Sequence, residues 1–93
     1  MTERQLQSKI IKYLKGKGCY VIKTGGVGTP DGCPDIIALC GGLWFALEVK
    51  GSARSKYQPL QKITLERLNN WSYAKVVYPE NWPEIKEELE LML

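Results

Sequence analysis

The sequence has 93 residues and no histidine. That absence removes Ser–His and Cys–His nucleophilic catalysis and histidine general-base chemistry, so any catalysis must rest on carboxylates, lysine and a metal. Cysteine is scarce as well. Cys19, Cys33 and Cys40 show no CxxC spacing, and without histidine the usual zinc sites are excluded. Their odd number argues against a secreted disulfide scaffold. Cys19 and Cys40 fall in apolar strand contexts, where buried reduced thiols are expected; Cys33 falls in a loop and is expected to be more exposed. No apolar run approaches the ~20 residues of a membrane span, and the first residues are polar and helical rather than signal-like. A soluble, cytoplasmic protein without a membrane partner is expected.

What is present describes one domain, residues 1–93, near the lower size limit for a self-sufficient core. Hydrophobic residues make up 44%, with three Trp and five Tyr, which excludes a disordered chain. Net charge is only +3, but it is unevenly spread. Lys50, Arg54, Lys56 and Lys62 form one basic run, and Lys9, Lys12, Lys15, Lys17 and Lys23 form another. The acids Glu84, Glu87, Glu88 and Glu90 gather at the C-terminal end. Basic groups around a carboxylate site suit a phosphate-backbone partner.

Along the chain, Thr2-Glu-Arg-Gln5 has capping-box form and opens a helix whose apolar face is Leu6, Ile10, Tyr13 and Leu14, ended by Gly16 and Gly18. Cys19–Lys23 reads as a strand, followed by a turn-rich loop from Gly25 to Pro34. Two apolar strands come next, joined by Gly41-Gly42. Pro59 fits the first turn of a second helix carried by Leu60, Ile63, Thr64 and Leu68 and ended by Asn69-Asn70. Tyr73–Tyr78 reads as a fourth strand. Asn81 or a neighbour caps a last helix with Pro83 in its first turn. The order αβββαβα predicts an α/β fold with a single sheet and helices on its faces.

The Gly-Gly pair between apolar runs favours a two-residue hairpin of a primed turn type. It sets Cys40 opposite Leu43, and counting outward sets Asp35 opposite Glu48, with Lys50 on the same side. Two carboxylates ~5 Å apart at an effective dielectric near 20 repel by roughly 3 kcal/mol. A chain tolerates this where a divalent cation lies between them, and carboxylate oxygens are the ligands Mg²⁺ prefers. An edge pair splayed into water or salt-bridged to Lys50 is the plainer alternative. The other hairpin face (Ile36, Ala38, Cys40, Leu43, Phe45, Leu47 and Val49) is apolar and should pack on a helix. The acidic face should then look outward.

Gly32-Cys33-Pro34-Asp35, an apolar strand and Glu48-Val49-Lys50 together resemble the PD-(D/E)XK nuclease signature. With Glu-Val-Lys-Gly at Glu48 to Gly51 and the downstream Gln61-Lys62 pair, the pattern is similar to the VRR-NUC (virus-type replication-repair nuclease) family. The resemblance runs from Glu3 to the last strand and helix. It implies a restriction-endonuclease-like αβββαβ core with a mixed four-stranded sheet, plus a C-terminal helix. It implies that Asp35, Glu48 and the Val49 backbone carbonyl hold Mg²⁺ or Mn²⁺, with no other small-molecule cofactor. Lys50 would orient or deprotonate the attacking water, or stabilise developing charge. Gln61 would meet the active site. Glu3 would reach the metal through water, or simply complement the helix N-terminus; Gln7 is one turn on.

Asp31, in a second Pro-Asp pair, lies outside the hairpin pairing and reads as a loop residue. Lys23, Arg54, Lys56 and Lys62 are candidate DNA contacts, as are the backbone groups of Gly25 to Gly28. Stand-alone members of the family resemble Holliday-junction resolvases, which implies a homodimer acting on branched DNA. Trp44, Trp71, Trp82 and the Leu91-Met92-Leu93 end are candidate dimer surfaces or core. The alternatives are a non-catalytic nucleic-acid-binding module that retains the nuclease fold, and an interaction protein with a coincidental acidic hairpin.

Overall fold

The structure, a computed structural model, describes residues 1–56 and 58–93. Helix α1 (Glu3–Gly16) starts where the sequence said it would. The Thr2 hydroxyl accepts from the Gln5 amide at 3.1 Å and the Gln5 side chain accepts from the Thr2 amide at 2.8 Å, so two orphan donors of the first turn are satisfied reciprocally. Strands β1 (Tyr20–Lys23), β2 (Ile36–Cys40) and β3 (Leu43–Val49) form an antiparallel meander, and β4 (Tyr73–Val77) pairs with β3 in parallel after the crossover helix α2 (Pro59–Trp71). Helix α3 (Trp82–Met92) ends the fold. The sheet order β1-β2-β3-β4 gives the mixed four-stranded sheet and restriction-endonuclease-like core that were expected.

Burial follows the two-residue period of the strands. Ile36, Ala38, Phe45, Leu47, Val49 and Val77 project to one side and meet Leu6, Ile10 and Leu14 of α1 and Trp82, Ile85 and Leu89 of α3. Each fully buried aliphatic side chain here contributes about 1.5–3 kcal/mol. Trp82 is therefore core, its ring meeting Tyr13 edge-on at 5.6 Å. The opposite side carries a smaller cluster in which α2 lays Leu65 and Leu68 over Ala46, Ala74, Ile37 and Val76.

Several element ends differ from the expected ones. β1 begins at Tyr20 and β2 at Ile36, so Cys19 and Asp35 flank strands rather than open them. Helix α2 continues past Asn69-Asn70 to Trp71 because neither asparagine takes the left-handed conformation that would end it; Asn69 Oδ1 accepts from the Ala74 amide at 3.0 Å. Asn81 is the N-cap residue of α3, as expected, but its side chain makes no cap bond: it accepts from the Tyr78 amide at 2.8 Å and donates to the Val76 carbonyl at 3.1 Å. The two asparagines thus occupy backbone groups of edge strand β4, a device that discourages a further strand from adding there.

The hairpin register is as expected, Cys40 opposite Leu43 and Ile36 opposite Leu47. Gly41 takes a left-handed φ of 67° and Gly42 does not, the pattern of a type II′ turn. The cysteine expectation fails. Cys19 and Cys40 form a disulfide between the end of the α1–β1 turn and the tip of the hairpin; adjacent strands β1 and β2 bring the two positions together, which strand propensity alone did not reveal. Linking residues 21 apart constrains the unfolded chain by about 3 kcal/mol. Reduction should lower the free energy of urea unfolding by up to about that amount; identical transitions with and without reductant would contradict it.

Candidate active site

The site is built where the loop between β1 and β2 delivers Asp35 beside the end of β3. Thr24, directly after β1, fixes that delivery: its hydroxyl donates to the Pro34 carbonyl at 2.5 Å and its amide to the Asp35 carbonyl at 2.9 Å. Beyond the last ladder pair, Ile36 with Leu47, the two acids continue the pairing with their side chains. Glu48 Oε1 accepts from the Asp35 amide at 3.1 Å, and Asp35 Oδ2 accepts from the Val49 amide at 2.9 Å. Each carboxylate thereby holds the other strand's backbone, and the two acids face each other as the turn arithmetic required.

The acidic face does not look out to solvent. Glu48 is 1% exposed, because Glu48 shares the side of the sheet on which α2 packs. Asp35 is half-buried, so access to the pair is from the Asp35 side. Burial, and then the Asp35 charge, push the Glu48 carboxyl up from 4.5 to about 7, against the opposing pull of Lys50. Lys50 follows β3, its backbone amide donating to the Val77 carbonyl at 2.8 Å. Its ammonium lies 3.2 Å from Glu48 Oε2 and donates to Gln61 Oε1 at 3.2 Å. The same Gln61 oxygen accepts from the Gln58 amide at 3.1 Å, so the first turn of α2 carries Gln61 to the site.

The structure thus brings together Asp35, Glu48, Lys50 and Gln61, and the Val49 backbone, whose side chain is buried in the core on the other face of the sheet. Glu3 lies beside Gly51, the residue after Lys50, its Cβ 3.8 Å from where a Cβ on Gly51 would lie. Among the described residues no group of three acids, thiols or histidines converges on one point, so Glu3 does not complete a third direct ligand. Gln7 is half-buried on α1, and Asp31 is exposed in the loop. Lys23, Arg54, Lys56 and Lys62 are all exposed. Lys17, by contrast, is paired with Glu90 of α3 at 3.2 Å, so part of the second basic run is met by the C-terminal acids.

Two neighbours of the pair had no functional reading in the sequence. Thr24 carried one available signal, a polar β-branched residue between a strand and a glycine-rich loop. Cys33 is half-buried; burial raises its thiol pKa, a Thr24 hydrogen bond lowers it, and the Glu48 and Asp35 charges raise it further.

Residues 1–86 match the model of the archaeal Holliday junction resolvase (Hjc) family. The chain belongs to that family. Membership implies a nuclease of the PD-(D/E)XK type whose substrate is a DNA junction. The resolvase relationship read from the sequence is thus supported, whereas the match does not extend to the VRR-NUC family. No curated protein and no solved structure matches the chain significantly. Among the described residues, no helix is long and apolar enough to cross a membrane.

Proposed function

We propose that this resolvase-family protein is a divalent-metal-dependent endonuclease that nicks four-way or similarly branched DNA, acting as a homodimer. The observation that carries the reading is the apposition of Asp35 and Glu48, each bound to the other's strand, with the Lys50 ammonium 3.2 Å from Glu48. The donor set fits Mg²⁺ or Mn²⁺: two hard carboxylates, one of them buried and held above its ordinary pKa by that burial and by the facing Asp35 charge. Asp35, Glu48 and the Val49 carbonyl would hold the ion, with Glu3 reaching it through water. When bound, such an ion lowers the pKa of water and polarises the scissile phosphate.

The protein's own groups supply the rest. As an ammonium, Lys50 orients the attacking water and offsets charge developing on the phosphate; it takes the proton of that water only as the neutral amine. Gln61 holds the Lys50 ammonium through Oε1. Lys23, Arg54, Lys56 and Lys62 contact backbone phosphates around the site, a role their exposure permits. The VRR-NUC kinship remains part of the proposal through the Gln61-Lys62 and Glu-Val-Lys-Gly patterns.

A four-way junction presents two equivalent strands to cut, and one chain carries one such site. Support for a second copy comes from the sheet face that α2 leaves uncovered. Tyr20 and Leu39 are cross-strand neighbours there, 69% and 41% exposed, and Ile22 beside them is 39% exposed. An exposed apolar surface of this kind is typical of protein contacts.

The test is a synthetic four-way junction and matching linear duplex, incubated with Mg²⁺, Mn²⁺ or EDTA, alongside sedimentation of the protein. Metal-dependent paired nicks in the junction by a dimer are expected. Binding without cutting in any metal would favour the non-catalytic module, and a monomer at micromolar concentration would overturn the dimer.

A further inference from the structure

The loop that delivers Asp35 and the helix that delivers Gln61 come close at Gly32 and Leu60. Gly32 adopts φ +78°, and a Cβ placed there would lie 2.8 Å from Leu60 Cγ, 3.0 Å from the Leu60 carbonyl oxygen and 3.1 Å from its carbon. These are separations that a real Cβ does not tolerate without displacing its neighbour. Leu60 is the second residue of α2, and Gln61 follows it. On the other side of the contact, Asp35 comes three residues after Gly32, and its amide holds Glu48 Oε1. The Gly32–Leu60 contact therefore fixes how closely the first turn of α2 approaches the acidic pair.

We propose that this contact positions the Lys50 ammonium. Gly32 admits the α2 backbone, the helix then presents Gln61 Oε1, and that oxygen, also accepting from the Gln58 amide, holds Lys50 Nζ at 3.2 Å. Gly32 and Leu60 are positioning residues in this scheme, acting through Gln61 and never touching substrate. Because Lys50 is assigned its part in phosphodiester hydrolysis by the reading above, the catalytic consequence rests on that reading. The geometric link does not.

Two measurements separate them. In metal-free protein, Gly32→Ala should shift the Gln61 side-chain amide resonances while leaving backbone amides of α1 and β4 in place. In cleavage, Gly32→Ala should lower kcat ~10- to 100-fold, the range a misplacement of about 1 Å commands, with little change in KM. Gly32→Ala combined with Gln61→Met should lose no more than Gln61→Met alone, since residues acting through one another are not additive. Should Gly32→Ala fail to fold, Leu60→Phe applies the push from the half-exposed helix side and must produce the same amide shift. Unshifted Gln61 resonances, or additive losses in kcat, overturn the proposal. Absence of cutting by the wild-type protein with the amide shift intact would instead count against the nuclease reading alone.

Discussion

Glu48→Gln should abolish junction cleavage and, in metal-free buffer, should make the protein more stable. The loss of rate should reach about 10³-fold or more, because a ligand to the ion carries several kcal/mol of charge stabilisation in the transition state. The gain in stability follows from the cost of the native carboxylate. Burial and the facing Asp35 raise the Glu48 pKa from 4.5 to about 7. Between those values the folded state binds more protons than the unfolded state, so stability falls as pH rises through about 4.5 to 7 and levels off above it. The amide removes that loss. It keeps an oxygen for the Asp35 amide but turns a donor toward Lys50, so the gain at pH 8 is set at roughly 1–3 kcal/mol, below or at the limit the pKa difference allows. Urea unfolding at pH 5 to 8 in EDTA checks both parts. A wild-type protein whose stability rises with pH over that window, or a glutamine variant less stable at pH 8, would contradict the account. Adding Mn²⁺ should stabilise the wild type and leave the variant nearly unaffected.

Much of the geometry of this site is legible in the sequence, because the strongest constraints on it are local. Gly41-Gly42 specifies the turn, the turn specifies the register, and the two-residue period then places Asp35 by Glu48 and the apolar set on the other face. Thr2 and Gln5 likewise specify the start of α1 within one turn of chain. What escaped depends on contacts between distant segments. The acidic face was expected to be open, and the burial of Glu48 required knowing that α2 returns over β3 on its way to β4. The expected stripe of Leu60, Ile63, Thr64 and Leu68 misplaces the buried side of α2: Leu60 and Ile63 are exposed, and Leu65 with Leu68 meets the sheet instead. The Cys19–Cys40 bond needed the pairing of β1 with β2 across a loop whose length no turn rule fixes. Gly32 reads as loop chemistry and as the start of the Gly-x-Pro-Asp pattern; its close approach to Leu60 is a tertiary requirement that sequence spacing does not encode.

Lys50→Met should lower cleavage ~10²- to 10⁴-fold, the range for removing a positioned proton-transfer group, and should also move the acidic limb of the pH–rate profile upward. The second effect comes from Glu48. The hydrogen bond and charge of Lys50 are what pull the Glu48 pKa down, while burial and Asp35 both push it up. With the ammonium gone, the upward influences act unopposed, Glu48 stays protonated to higher pH, and the ion loses a ligand under conditions where the wild-type site is already ionised. Measuring rates from pH 6 to 9.5 at sub-saturating Mg²⁺, where the metal-free site sets the acidic limb, separates the two roles. At the alkaline end Glu48 ionises in either protein, so a deficit that persists there belongs to Lys50 acting on water or phosphate. Full recovery at pH 9.5 would mean that Lys50 serves only to keep Glu48 charged. Lys50→Arg discriminates further. A guanidinium retains a positive charge for Glu48 and should hold the acidic limb near its wild-type position, but it does not give up a proton in this range and fits the Gln61 oxygen with a different geometry. A low rate with an unshifted limb is the expected signature of that variant, and a shifted limb would show that Glu48 depends on the point charge of lysine rather than on positive charge alone.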